Sequence, residues 1–228
     1  MCPHDRPIVN DSARQSNLEP PSCAIYGLRA EDTEEAAALH RVIFPDYFLT
    51  HMGQWFVERF YSEFVDRSGN YGFVAVCDDE LAGSVIGTLD PERLYSGFYR
   101  RRLPGLALVL AWRFVADPYI RRNLVGRMGH VRQAFCSLRT RSRQVSRSTD
   151  PSSADRVPAR LLSIGVRPDW RGSGIAKQLV DRNCDELWHE GIAWVGLTVR
   201  PENQGAIAFY ERTGWQKTGA SATAVNYT

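Results

Sequence analysis

Val166-Arg-Pro-Asp-Trp-Arg-Gly-Ser-Gly-Ile-Ala176 decides how this chain is read. An apolar run, 161–166, leads into a short turn marked by Pro168. Arg171-Gly-Ser-Gly174 follows, and a helical pattern opens at once. Strand, glycine-rich turn and helix, in that order, aim backbone N–H groups at a phosphate. Gly172 and Gly174 lack a Cβ, so the backbone can take positive φ and approach a ligand closely. Arg171 offers a fixed fork of donors to phosphate oxygens. The first turn of the helix adds unpaired N–H groups and the positive end of its dipole. The plainer reading is a tight strand-to-helix turn that uses its glycines for geometry alone, and a short glycine motif by itself does not separate the two.

Two other phosphate motifs are excluded. No Gly-x-x-x-x-Gly-Lys-Ser/Thr is present, so this is not a P-loop. Lys177 stands where a dinucleotide fingerprint needs its third glycine, and the next strand, 194–199, ends at Arg200 rather than at an acid for a ribose.

Working outward, 24–29 alternates like an opening strand, and acids at 31–35 start a helix that places Ala36, Leu39, Val42 and Ile43 on one face. A second helix is predicted over 50–66, with Trp55, Phe56, Phe60 and Phe64 on its apolar face. Residues 71–76 and 81–89 form a hairpin about Asp78-Asp-Glu80. After the glycine turn come a helix over 174–189 stopped by Gly191, a strand at 193–199, a helix with Asn203 at its start and Gly214 at its end, and a last strand from Trp215. The fold class is therefore α/β (α+β), in the order β-α-α-β-β-(insertion)-β-α-β-α-β.

Residues 91–160 break this rhythm. They hold fifteen of the 28 basic residues, all arginine, and four of the 26 acidic ones, a local charge of +11 that leaves the remainder at −9. An apolar helix is expected over 103–116, a basic amphipathic helix over 120–138, and a mobile Arg/Ser/Pro-rich loop over 139–159. The domain reading is a flexible tail at 1–22, then one domain over 23–228 carrying the insertion at 91–160. The tail has no apolar core of a signal peptide, and the apolar run 103–112 is too short to span a bilayer. Five scattered cysteines, an odd number without CxxC or Cys/His spacing, predict neither a metal site nor disulfides, which fits a cytoplasmic location.

A second motif gives the turn a chemistry. Asn203 and Tyr210 lie seven residues apart, on one face of a helix. A Tyr210 hydroxyl can donate a proton to a departing anion, although Phe209-Tyr210 also suits a core aromatic pair and Asn203 a simple cap. Together, Arg171-x-x-Gly174-x-Ala176 and Asn203-x-x-Ala206-x-x-Phe209-Tyr210-Glu211-x-x-Gly214-Trp215 resemble the GNAT superfamily of acetyl-CoA-dependent N-acetyltransferases. Trp215 replaces the family's usual Phe. The resemblance is strong over 161–216, weaker over 24–90, and assigns nothing to 91–160.

That resemblance implies a mostly antiparallel central sheet flanked by helices, and acetyl-CoA as cosubstrate with no metal. The strand through Ile164 to Val166 would splay from its neighbour and expose its backbone to the pantetheine arm. N–H groups of Arg171, Gly172, Ser173, Gly174, Ile175 and Ala176 would hold the pyrophosphate, and Asn203 the cofactor arm. A backbone N–H near Ile164 would polarise the acetyl carbonyl. Tyr210 would protonate the leaving thiolate while an amine attacks directly.

One departure matters: the strand Arg160-Leu-Leu-Ser-Ile-Gly-Val166 lacks the glutamate that some members use as base. His40, His51, Glu58 and Asp90 are the substitutes, each with an equally good structural role. The expected acceptor is a small primary amine, with an amino sugar or a nucleotide-linked sugar, whose phosphate the arginines would bind, as the candidate class. A protein or peptide N-acetyltransferase is the first rival. The second is a non-catalytic acetyl-CoA-binding module that contacts nucleic acid or membrane through the insertion, where Phe98, Tyr99, Trp112, Phe114 and Tyr119 would stack on bases. Nucleic acid is the less favoured partner, since a solvated arginine face accounts for the charge. A homodimer is one use of the apolar 103–112 run.

Overall fold

The structure, a computed structural model, describes residues 23–65, 69–101, 115 and 159–228. Seven strands form one sheet: β1 (Cys23–Gly27), β2 (Asn70–Cys77), β3 (Glu80–Thr88), β4 (Ala159–Val166), β5 (Val195–Val199), β6 (Lys217–Ala220) and β7 (Val225–Tyr227). Their order across the sheet is β1-β2-β3-β4-β5-β7-β6, and every neighbouring pair is antiparallel except β4 with β5. The helices are α1 (Thr33–Ile43), α2 (Phe48–His51), α3 (Gln54–Tyr61), α4 (residues 91–101), α5 (Ile175–His189) and α6 (Gln204–Arg212). This is the mixed, mostly antiparallel α/β sheet expected from the sequence.

Strand alternation divides the core into two layers. Val74 and Ile86 point to one face and join Ala36, Phe56, Phe60 and Phe64 from α1, α3 and the turn after it. Phe73, Ala75 and Val85 point to the other, with Ile175, Leu179 and Val180 of α5 and Tyr210 of α6. A helix stripe and a sheet face close on each other on both sides. On the first face α1 comes very close: a Cβ added to Gly165 of β4 would lie 2.7 Å from Ile43 Cδ1. A larger residue there would require the Ile43 side chain to move.

Several expectations change. The single helix over 50–66 is two short ones, because Gly53 takes φ 91° and ends α2 before α3 begins. The last strand is a pair, β6 and β7, joined by a turn in which Ser221 N–H donates to the Ala224 carbonyl. The β2–β3 turn does form at Asp78 and Asp79, both in the left-handed region that such hairpins require.

The insertion begins inside the core. Asp90 caps α4 by accepting from the Arg93 N–H at 2.9 Å. Leu94 and Phe98 are buried, and Phe98 packs edge-on to Phe56 and Phe60, with ring centroids 5.5 Å from each. Phe98 is therefore a core side chain and has no face for a nucleic-acid base. Arg101 pairs with Glu63, which is fully buried, and so ties α4 to the turn after α3. Apart from Val115, which is helical, and Ala159, which opens β4, the helices expected over 103–116 and 120–138 and the loop over 139–159 lie outside the described residues, as do Trp112, Phe114, Tyr119 and the tail.

Disulfides were not expected, yet Cys23 and Cys77 form one. The β1–β2 register sets them directly opposite, with Cα atoms 4.2 Å apart, although 54 residues separate them in sequence. The case for a cytoplasmic location from unpaired cysteines loses its premise here.

Candidate active site

β4 and β5 are paired only where they begin, Ala159 with Val195 and Arg160 with Gly196. Beyond those positions the two parallel strands part. Leu161, Leu162, Ser163 and Ile164 form one wall of the wedge, and Leu197, Thr198, Val199 and Arg200 the other. A cavity of about 310 Å³ fills it, bounded by Asn203, Ala206 and Tyr210 of the α6 region, and by His40, Phe44, Tyr47, Phe48 and Leu49 from the α1–α2 region. Parted strands present main-chain polar groups that no neighbouring strand satisfies, so a ligand can.

Tyr210 sits at the junction of the layers. It is 4% exposed and packs against Phe209, Trp215 and Tyr227. Burial, and after it the nearby Cys184, holds its phenol well above the ordinary value of 10. The hydroxyl therefore keeps its proton at any working pH and is available as a donor. The ring packs in the core, and the side chain also lines the cavity. Asn203 caps α6, its Oδ1 accepting from the Ala206 N–H at 3.1 Å.

The glycine turn stands beyond the end of β4. Gly172 and Gly174 have φ of 84° and 87°, and a Cβ on Gly172 would meet nothing within 4 Å. Their absent side chains thus serve backbone conformation and an open approach. Gln178 makes the first helical bond of α5, back to the Gly174 carbonyl, so the N–H groups of Ile175, Ala176 and Lys177 precede the ladder. Arg171, Ser173 and both glycines are exposed.

Ile164, Asn203 and Tyr210 thus meet in one cavity. Val166 is buried at the strand end, and Arg171 to Ala176 form the turn past it rather than the cavity wall. Of the four candidate bases, His40 alone lines the cavity. It is buried, its Nδ1 lies 3.1 Å from the Tyr61 hydroxyl, and its Nε2 has no partner among the described residues. Burial lowers its pKa from 6.5 to about 4, so it is neutral near pH 7. Asp90 is the α4 cap described above, while His51 and Glu58 stand outside the cavity wall.

Sequence reasoning missed Phe44, Tyr47, Phe48, Tyr95 and Ser163, all of which line the cavity. The signal was Phe44-Pro-Asp-Tyr-Phe48, a run too rich in aromatics for an ordinary solvated connection.

Residues 145–215 match the sequence model of the acetyltransferase (GNAT) family. The chain is 39% identical over 59 residues to the [ribosomal protein bS18]-alanine N-acetyltransferase of Escherichia coli (strain K12), a stretch covering 26% of this chain and 40% of that protein. It is 40% identical over 53 residues to the mycothiol acetyltransferase of Thermobifida fusca (strain YX), covering 23% of this chain and 16% of the relative. The matches thus span less than half the length of these curated relatives. Among solved structures, the aminoglycoside N-acetyltransferase AAC(6')-Iy in complex with CoA superposes with a TM-score of 0.54 at 14% identity, covering 88% of this chain and 92% of that one. The Escherichia coli ribosomal-protein-S18-alanine N-acetyltransferase does so with 0.50 at 15%, covering 90% and 92%. At such identities the structures speak for the fold. The segment that matches the GNAT family model contains both motifs, and the fold agrees with those acetyltransferase structures across the sheet.

Proposed function

We propose that the chain is an N-acetyltransferase that moves the acetyl group of acetyl-CoA directly to a small primary amine. The wedge between β4 and β5, with Ile164, Asn203 and Tyr210 on one cavity, is the observation that carries this reading. The residues fit the cofactor: parted strands leave backbone groups for the pantetheine arm, and the left-handed Gly172 and Gly174 leave room for a pyrophosphate at the start of α5. We read 23–228 as one acetyltransferase domain with its insertion at 91–160.

Acetyl-CoA would supply the activated acetyl thioester. The wedge would hold its arm, and N–H groups of Arg171 to Ala176 its pyrophosphate, with the Arg171 guanidinium beside them. A backbone N–H near Ile164 would donate to the acetyl oxygen, where negative charge develops. The acceptor nitrogen forms the new C–N bond and the C–S bond breaks. Sulfur leaves with the electron pair and takes the Tyr210 proton, the nitrogen gives up one proton to water, and water returns one to Tyr210, which balances the reaction. His40 lines the same cavity, but burial lowers its pKa to about 4 and makes it a weak proton acceptor, which leaves water as the base.

An amino sugar, the acceptor class suggested by the insertion's arginines, meets aromatic faces here and polar side chains at Tyr47, Tyr95, Ser163, Thr198, Arg200 and Asn203. The peptide reading draws on the bS18-alanine relative, with which the match is partial. Acetyl-CoA at a hundred times its Kd should stabilise the protein by about 2.7 kcal/mol, read as a higher Tm. The absence of any shift at saturating cofactor would remove the site, and thiol release against an amine panel tests the transfer.

A further inference from the structure

The cavity has two chemically different halves. The half at the strand wedge is backbone and aliphatic at Ile164, Leu197, Val199 and Ala206 and polar at Thr198, Arg200 and Asn203, closed by Tyr210, with the Arg200 guanidinium 4.0 Å over the Tyr47 ring. The other half is aromatic. Phe44 and Tyr47 stand edge to face with centroids 5.0 Å apart. Phe60 and Tyr95 lie nearly parallel, 9° between their planes and 6.1 Å between centroids. Phe48 completes this chamber. Ser163 and His40 lie on the same wall as polar groups, the His40 Nε2 buried and without a partner.

Resting on the acetyl-transfer reading above, we propose that the acceptor is a small primary amine carried on a single aromatic ring, which the chamber of Phe44, Tyr47, Phe48, Phe60 and Tyr95 holds by its faces and edges. Size supports one ring. At about 310 Å³ the cavity is at the lower end of ligand pockets, and it must also admit the acetyl group and the tip of the pantetheine arm. Chemistry supports an aromatic one. Rings gain from offset and edge-to-face contacts beyond their buried area. A polyhydroxylated ring would instead lose water from the hydroxyls it turned toward Phe44, Phe48, Leu49 and Phe60, with the Tyr47 and Tyr95 hydroxyls as the donors of the chamber's own rings. The amine then points inward toward Ser163, His40 and Tyr210. Tyr95, 39% exposed, marks the outer end of the chamber.

The full chain is assayed for thiol release from acetyl-CoA with 2-phenylethylamine, glucosamine and a short peptide beginning with alanine. The expected result is a kcat/KM for 2-phenylethylamine about tenfold or more above the other two. Tyr95→Leu and Phe44→Leu should each raise the KM for 2-phenylethylamine several-fold while leaving the Tm gain from acetyl-CoA unchanged. Should one variant fail to fold, the other carries the test. A preference for glucosamine or for the peptide overturns the proposal, as does a chain that binds acetyl-CoA and acetylates none of the three. No Tm gain and no thiol release with any amine would bring down the acetyl-transfer reading itself, and the proposal with it.

Discussion

Tyr210 joins two demands that usually pull a side chain apart. Its ring packs among Phe209, Trp215 and Tyr227, while the same side chain lines the wall where a leaving group would need a proton. Tyr210→Phe keeps the packing and removes the hydroxyl. We expect kcat to fall by about 10²-fold or more with the acetyl-CoA Kd unchanged, measured by steady-state kinetics and calorimetry. His40 gives a prediction in pH. Its folded pKa, about 4, lies below the ordinary 6.5, so the unfolded chain binds the extra proton between those values. The His40 contribution to stability should therefore be steady above pH 6.5, fall by roughly 3 kcal/mol as pH drops through that window, and level off below 4. His40→Gln should flatten that part of the denaturation profile. A wild-type profile without such a decline would show that His40 is not held neutral by burial.

Elements differ in how plainly the sequence announced them. β4, the glycine turn, α5 and α6 were legible because each has its own punctuation: an apolar run, Gly172 and Gly174, the Asn203 cap and Gly214 in the left-handed region. The helix over 50–66 was not, because Gly53 within an aromatic helical pattern reads as a tolerated interruption until its positive φ is seen. β7 is three residues long, too short for alternation to register. The wedge itself is tertiary: nothing in Leu161 to Ile164 states that pairing with β5 stops after Arg160. The aromatic chamber was half visible, since Phe60 was assigned to a core face while Phe44 to Phe48 passed as a connection. At this scale Gly174→Ala is the informative change. Gly174 caps α5 with φ 87°, so alanine should cost about 1–2 kcal/mol of stability and weaken acetyl-CoA binding, both readable in melts with and without cofactor.

Across the whole molecule the sheet is fastened at one edge by Cys23–Cys77 and tied on one face by the Glu63–Arg101 pair. The disulfide closes a loop with a sequence separation of 54, so its reduction should lower stability by about 4 kcal/mol through the freedom it returns to the unfolded chain. Chemical denaturation with and without reductant measures this, and superimposable curves would show that the bond is not formed in solution. α4 brings Phe98 into the core and Tyr95 to the chamber, so the root of the arginine-rich segment is continuous with the proposed acceptor wall. The parted strands carry a consequence for the chain's history as well. Main-chain amides are common to every residue but proline, so a binding surface made from them persists while side chains are exchanged. On the proposed reading, side chains of the aromatic wall can be exchanged while the main-chain surface persists, and the fold itself is shared with an aminoglycoside acetyltransferase at 14% identity.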